Sequence, residues 1–201
     1  MKVLLLTPEY PPIGGGAANA CFYLARELRD QGVELDVLTS SMTKDVEQEF
    51  GPSGAVIKLP VRKKAIHYWT YSEMMRYLWA TYRFVRRSSQ ERKYTLIHSF
   101  FTIPTGLVAF LQRKQLPYLV SIRGSDVPGY NRRFTAAYPL LRPVIRKLWR
   151  EAAFVVSNSQ GLRDLAWKTM PELDICVIPN GVDTQEFSPS KDKAQVSGGR
   201  V

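Results

Sequence analysis

Residues 4–32 read LLLTPEYPPIGGGAANACFYLARELRDQG, an apolar run followed by prolines, three glycines and a regular pattern of polar and apolar residues. The apolar residues 3–6 predict a short buried strand. Apolar side chains then recur three and four positions apart from residue 17 to residue 28, which predicts an amphipathic helix ended by Gly32. VELDVLTS at 33–40 predicts a second strand. The segment is therefore a βαβ unit, and Gly14, Gly15 and Gly16 lie in its strand-to-helix loop.

Glycines at the start of a helix favour an anion site. The first N–H groups of a helix have no partner within it, and the helix dipole places positive charge at that end. Glycines also let a phosphate approach the backbone closely. The alternative is a loop that needs glycine only for positive φ or close packing. The loop matches neither the dinucleotide fingerprint G-x-G-x-x-G nor the phosphate loop G-x-x-x-x-G-K-[ST], which disfavours a dinucleotide-binding oxidoreductase.

Short runs rich in valine, isoleucine and leucine alternate with helical patterns along the chain. Strands are predicted at 3–6, 33–39, 55–59, 95–99, 118–122, 153–157 and 175–178, and helices at 17–30, 71–87, 104–114, 134–150 and 160–170. This alternation predicts an α/β fold with a doubly wound, mainly parallel sheet. We expect one domain over residues 1–187, followed by a polar linker or tail over 188–201.

The totals are those of an ordinary soluble protein. The chain has 201 residues, 45% of them hydrophobic and 23% charged, so it can bury a sizeable core. Cys21 and Cys176 fall in predicted core elements, which favours reduced thiols and a cytoplasmic location. No signal peptide or membrane-spanning pattern is visible. The net charge of +10 is concentrated, because residues 61–93 carry +7 and residues 132–150 carry +6.

Polar residues follow two of the predicted strands. His98 ends the strand in TLIHSFF, a suitable place for proton transfer or hydrogen bonding. The alternative is a histidine that bonds to a nearby carbonyl. Arg123, Ser125 and Asp126 follow the strand in VSIRGSD, where the arginine suits a phosphate or carboxylate. Equally, an Arg123–Asp126 pair could brace the loop. No metal site is expected, since no other suitable ligand joins His98.

The predicted helix at 71–87 is basic and aromatic. Its predicted apolar face consists of Tyr71, Met74, Met75, Leu78, Tyr82 and Val85. Its predicted exposed stripe consists of Arg76, Ala80, Arg83 and Arg87, with Trp79 between the two faces. Such a surface suits an anionic membrane. A plain solvated face is the common alternative, and nucleic acid is disfavoured because the chain has no recognised nucleic-acid-binding motif.

Four segments together resemble a known family. They are PPIGGGAANACFYLARELRDQGVELDVLT, TLIHSFF, SIRGSDVPG and VIPNGVDTQEFSP. They are similar to the N-terminal domain of family-four, GT-B type retaining glycosyltransferases, from Met1 to about Pro189. The resemblance implies a Rossmann-like domain that needs no metal or other cofactor and takes a nucleotide-sugar donor as co-substrate.

The resemblance also implies roles for single residues. Gly15 and Gly16 match positions whose N–H groups face the diphosphate and sugar of the donor. His98 matches a histidine common at this strand end. Asn180 and Gly181 match the hinge to a second domain. Many members have histidine where this chain has Arg123, and an arginine cannot act as a base near neutral pH. A charge-stabilising or acceptor-binding role is therefore expected for Arg123, and substrate contacts for Ser125 and Asp126.

Two functions remain open from the sequence. The first is the acceptor-side domain of a glycosyltransferase acting on a cell-envelope lipid-linked or polysaccharide acceptor, inactive without a second, donor-binding domain that we expect to be absent here. Its partners would be the nucleotide sugar, the glycan or lipid-linked acceptor and an anionic membrane surface, with a second-domain chain as a further candidate. The second is a non-catalytic module that binds a phosphorylated or lipid-linked ligand.

Overall fold

The structure, a computed structural model, describes residues 1–43, 47–51, 54–132, 135–136 and 138–184, with the backbone alone for 47–51. Within these residues the strands form one eight-stranded sheet in the order β3-β4-β2-β1-β5-β6-β7-β8. The strands are β1 Lys2–Leu6, β2 Glu34–Ser41, β3 Glu47–Gly51, β4 Gly54–Pro60, β5 Leu96–Phe100, β6 Tyr118–Ile122, β7 Phe154–Ser157 and β8 Cys176–Val177. Neighbouring strands are parallel except β3, which is antiparallel to β4. The predicted fold class is confirmed.

Helices cover both faces of the sheet. They are α1 Gly16–Asp30, α2 Tyr71–Gln90, α3 Leu107–Leu111, α4 Tyr138–Glu151 and α5 Gln160–Trp167. Side chains alternate across β1, so that Val3 and Leu5 pack in a core cluster with α1, and Leu4 and Leu6 pack in a second cluster with α2 to α5. This division follows from right-handed crossovers, because β1 to β2 runs in one direction along the sheet and β4 to β8 in the other.

Several predicted boundaries are wrong. The helix predicted at 104–114 contains only Leu107–Leu111, preceded by an irregular turn at Thr102–Gly106. The strand predicted at 175–178 has two residues, and Cys176 in it is exposed rather than buried. Cys21 is buried, as predicted. Strand β3 was not predicted, since its sequence EQEFG has no apolar run. The predicted tail at 188–201 lies outside the described residues.

Gly54 is the glycine that the sheet requires most. Its φ is +144°, and a Cβ there would lie 1.8 Å from the carbonyl oxygen of Leu35. Gly32 also has a positive φ of +82°, but a Cβ there would meet no atom within 4 Å. Replacement of Gly54 therefore combines backbone strain with a clash against a neighbouring strand, whereas replacement of Gly32 adds strain alone.

We predict that Gly54→Ala lowers the free energy of unfolding by about 3 kcal/mol or more, and that Gly32→Ala costs only about 1 kcal/mol. The measurement is urea unfolding of both variants beside the unchanged chain. Equal losses in the two variants would contradict the clash with Leu35.

Candidate functional site

Three loops meet at one edge of the sheet. Strands β1, β5 and β6 are neighbours and parallel, and their register pairs Leu6 with Ser99 and Phe100 with Ser121. Their carboxyl ends therefore lie side by side, and the loops that follow them begin at the same edge. Open α/β sheets bind ligands at this edge. The predicted site residues in these loops are thereby brought to one region.

The glycine loop, residues 9–16, ends at the N-terminus of α1, where Gly15 is the N-cap. In the part of the chain that the structure describes, no side chain caps this end, and the first turn has no acidic residue. A Cβ on Gly15 or Gly16 would meet no atom within 4 Å, so there is free space beside the first turn of α1. The first N–H groups of a helix have no partner within it, which makes this end a candidate anion site.

Gly14 differs from the two glycines that follow it. Its φ is +102°, and a Cβ there would lie 2.7 Å from the Cβ of Glu9. Both sequence interpretations of the glycines therefore apply, each to different positions. Gly14 is needed for backbone conformation and close approach, whereas Gly15 and Gly16 leave space in front of the helix end.

Arg123 follows β6 and lies across the ring of Phe100, with the guanidinium carbon 4.0 Å from the ring centroid. Its Nη1 donates a hydrogen bond to Oδ1 of Asn180 at 2.8 Å. Partial burial lowers the pKa of Arg123, yet arginine stays charged at neutral pH. Its Nε is buried and has no partner among the described residues. The site therefore contains a guanidinium held in place by Phe100 and Asn180, and its Nε–H donor has no partner among the described residues.

Asp126 braces the loops rather than presenting a free carboxylate. Its Oδ1 accepts hydrogen bonds from the amides of Arg123 and Gly124, both at 3.0 Å. Its Oδ2 accepts from the amide of Thr102 at 2.7 Å and from the hydroxyl of Thr102 at 3.0 Å. Asp126 thus braces the loop, but through the backbone amide of Arg123 and not through the predicted pair of Arg123 and Asp126 side chains. A direct substrate contact by Asp126 stays a prediction, and these four bonds argue against it.

His98 is partly buried within β5, two residues before the strand ends. Its Nε2 shares a hydrogen bond with Oγ of Ser121 at 2.8 Å, and its ring centroid lies 5.3 Å from that of Phe100. Burial, with a smaller effect from the Arg123 charge, lowers the pKa of His98 to about 3. The ring is therefore neutral near pH 7 and can contribute hydrogen bonds but not an imidazolium proton.

Comparison with known proteins identifies the family. A model of Glycosyltransferase Family 4 matches residues 14–186. The chain belongs to glycosyltransferase family 4. No curated protein sequence matches it.

Solved structures agree in fold with this family 4 chain. Sucrose-phosphate synthase from Thermosynechococcus elongatus superposes with a TM-score of 0.72 at 18% identity, over 98% of this chain and 52% of that one. A glycosyltransferase from Rickettsia africae gives 0.57 at 14% identity, over 97% and 47%. A trehalose-6-phosphate structure from E. coli bound with UDP-2-fluoro glucose gives 0.58 at 9% identity, over 92% and 50%. The chain spans about half the length of these proteins.

Other predicted site residues of the family 4 chain lie at the margins of this edge. Asn180 is joined to Arg123, a contact that links two motifs 57 positions apart. Gly181 and Ser125 are exposed, and Ser125 uses its carbonyl to accept from the hydroxyl of Tyr138 at 3.1 Å. Asp183 pairs with Arg26 on α1 at 3.0 Å. The hinge role of Asn180 and Gly181 stays a prediction.

The sequence interpretation missed three residues that shape this edge. Thr102 donates to Asp126 and accepts from the indole N–H of Trp149 at 2.8 Å, so α4 is joined to the same network. Phe101 has a φ of +75°, an uncommon and strained conformation for a bulky residue at the end of β5. A motif search has no signal for either feature, since both depend on contacts formed only in the folded chain.

The predicted apolar face of the basic helix α2 is right only in part, since Val85 is buried and Leu78 and Tyr82 pack against the core. Tyr71 is 89% exposed and Met75 is 61% exposed. The buried stripe consists of Glu73, Tyr77, Thr81, Val85 and Ser88. In the predicted exposed stripe, Arg76, Arg83 and Arg87 face solvent, whereas Ala80 is partly buried against the core. Trp79, expected between the two faces, is 61% exposed. The Trp79 and Tyr82 rings are stacked, with centroids 6.1 Å apart.

Among the described residues, no three histidine, cysteine, aspartate or glutamate side chains are grouped as metal ligands would be. Within the same residues, no helix has both the length and the apolar character needed to cross a membrane.

We predict that Asp126→Asn lowers the free energy of unfolding by about 3 kcal/mol, because an amide NH₂ would face N–H donors that are now satisfied. Asp164→Asn is the matched control, since among the described residues Asp164 forms an ion pair only with the adjacent Arg163 at the surface. Urea unfolding measures both, and losses of the same size would contradict the bracing role.

We predict that the free energy of unfolding depends on pH because of the protonation of His98. Its pKa in the folded chain, about 3, is below its usual value near 6.5, so the unfolded chain takes up the proton first as pH falls. Stability should then fall by up to about 1.4 kcal/mol for each pH unit between roughly pH 6.5 and pH 3, and level off below. Urea unfolding at several pH values should show a shallower slope for His98→Gln. An unchanged slope would refute this origin.

Proposed function

We propose that this chain is the acceptor-side domain of a retaining, nucleotide-sugar-dependent glycosyltransferase that acts on a lipid-linked or polysaccharide acceptor of the cell envelope. The observation that carries the proposal is the uncapped N-terminus of α1, which has open space at Gly15 and Gly16 and shares a sheet edge with Arg123. Membership of glycosyltransferase family 4 supports it.

The groups at this sheet edge would have different roles in the proposed reaction. As the bond from the sugar to the nucleotide breaks, negative charge grows on the departing diphosphate. The N–H groups at the start of α1 and the Arg123 guanidinium would stabilise that charge, and neither needs to lose a proton. His98 would contribute a neutral hydrogen bond near the sugar, and Ser125 an exposed hydroxyl near the acceptor. No metal or cofactor is required by this scheme.

A one-sided site should bind its donor weakly. The described residues of the chain supply contacts from one sheet edge, and the donor would stay hydrated and poorly oriented on the opposite side. We therefore expect the chain alone to bind nucleotide sugars on the order of millimolar, with little transfer. A second α/β domain, joined at Asn180 and Gly181 or supplied by another chain, would enclose the donor.

We predict that Gly16→Val weakens binding of UDP-glucose by about tenfold or more while the domain stays folded, because the new side chain occupies the space in front of the helix end. Gly161→Val is the matched control. Gly161 also lies in the first turn of a helix, α5, and a Cβ there would meet no atom within 4 Å.

Binding is measured by ligand-observed NMR titration, with other nucleotide sugars tested in parallel. Equal binding by both variants would contradict an anion site at α1. Binding of lipid phosphates without any nucleotide sugar would favour the alternative, a non-catalytic module for phosphorylated or lipid-linked ligands.

We also propose that α2 docks on an anionic membrane at the cytoplasmic face. Its exposed stripe combines Arg76, Arg83 and Arg87 with Trp79 and the uncovered Met75. Cations attract anionic headgroups, and the aromatic and apolar side chains suit the boundary between headgroups and acyl chains. Such docking would keep a lipid-linked acceptor close to the enzyme.

We predict that a triple change of Arg76, Arg83 and Arg87 to glutamine removes most binding to phosphatidylserine vesicles, at about 1 kcal/mol per arginine. The control changes Arg142, Arg146 and Lys147 of α4 to glutamine and removes the same charge elsewhere. Co-sedimentation at low and high salt measures both. Equal loss in the two triples would show that net charge, not α2, drives binding.

A further inference from the structure

The segment between β4 and α2 lies against the glycine loop. Residues 61–70, here called the strap, bond twice to Gly14, the residue before the N-cap of α1. The Gly14 amide donates to the carbonyl of Ile66 at 3.2 Å. The Gly14 carbonyl lies 3.1 Å from Nδ1 of His67. A carbonyl can only accept, so Nδ1 must carry the hydrogen in this contact.

A buried lysine holds the strap in its curved shape. Lys63 is only 3% exposed, and its ammonium donates to the carbonyls of Ala65 and Tyr68. The same ammonium lies 4.6 Å from the ring centroid of Trp69. The strap therefore folds around its own cation. This arrangement brings Ile66 and His67, between the two carbonyls, against Gly14.

A second contact joins the other end of the glycine loop to the strap. The indole N–H of Trp69 donates to Oε1 of Glu9 at 3.2 Å. Glu9 is also the residue that a Cβ on Gly14 would strike. One end of the loop is thus held through Trp69 and the other through Gly14, and Lys63 contacts the strap between them.

A lysine at this buried place carries a desolvation cost that its contacts must offset. Burial lowers the pKa of Lys63, and the charges of Glu73 and Glu9 only partly oppose that effect. A buried ammonium costs desolvation that an apolar side chain of similar length would not. The bonds it makes instead define the shape of a segment that touches the glycine loop.

We propose that Lys63 is a positioning residue for the glycine loop: by holding the strap against Gly14 it fixes where the Gly15 and Gly16 amides lie. The consequence for donor binding rests on the proposed function, whereas the effect on the loop itself does not. The interaction is specific to Lys63, because its neighbour Lys64 has an exposed side chain and uses only its backbone amide, which donates to Glu73 at 2.9 Å.

The test compares Lys63→Met with Lys64→Met, which removes the same charge from the next position. Amide hydrogen exchange is followed by NMR at Gly14 and, as a reference for the whole fold, at Leu5 in β1. We expect the Gly14 amide to exchange about tenfold faster or more in Lys63→Met, with Leu5 unchanged and with no effect in Lys64→Met. Equal acceleration at Gly14 and Leu5, or none at either, would overturn the proposal.

If Lys63→Met does not fold, a second variant tests the role of Lys63 in positioning the glycine loop. Lys63→Gln removes the charge and shortens the side chain while keeping an N–H donor, so it disturbs the surrounding packing less than Lys63→Met. It should speed exchange at Gly14 but not at Leu5, and unchanged exchange at Gly14 would overturn the proposal.

Titration of the same proteins with UDP-glucose then separates the two proposals. Weaker binding in Lys63→Met than in Lys64→Met is expected. If no protein binds nucleotide sugar, including the unchanged chain, the proposed function fails, while the exchange result still decides the role of Lys63.

Discussion

The carboxylate of Asp126 is the interaction on which the geometry of this sheet edge depends. It accepts four hydrogen bonds, two from the backbone after β6 and two from Thr102 after β5, so it joins two loops that belong to neighbouring strands. A buried carboxylate is tolerated because its oxygens are satisfied. These bonds fix the backbone of Arg123, and its guanidinium lies over the ring of Phe100 before any ligand binds. A cation held in advance stabilises a developing negative charge without reorganisation.

Much of the fold could be predicted from the sequence, because its main signals are local. The apolar run, the glycines and the 3.6-residue period of residues 4–32 define the βαβ unit without tertiary information. The buried face of α2 could not be predicted this way. It includes Glu73, which is polar but satisfied by the amides of Lys64 and Thr70, and those partners are visible only in the fold. Strand β3 was missed for a related reason, since it is defined by pairing with β4 and not by apolar residues.

The candidate site, like the fold, could be predicted from the sequence only in part. The sequence predicted that Gly15, Gly16, Arg123 and Asn180 are functional, but neither the contact between Arg123 and Asn180 nor the bracing by Asp126 could be read from spacing. From the sequence, Lys63 was recognised only as one of the positive charges of a basic segment. In the structure, Glu73 caps α2 and holds the strap at Lys64, so the basic helix is continuous with the segment that touches the glycine loop. The proposed membrane surface and the proposed donor site are therefore linked through a few residues.

The most direct test is an NMR titration of the isotope-labelled chain with UDP-glucose, in which backbone amide and arginine side-chain shifts are followed together. An anion site at the start of α1 requires the largest shifts at Gly15, Gly16 and Ala17 and at the Arg123 guanidinium, in the millimolar range. Shifts of that kind would place the donor at the carboxyl edge of β1, β5 and β6. Shifts confined to α2 or to the opposite edge of the sheet would contradict the account.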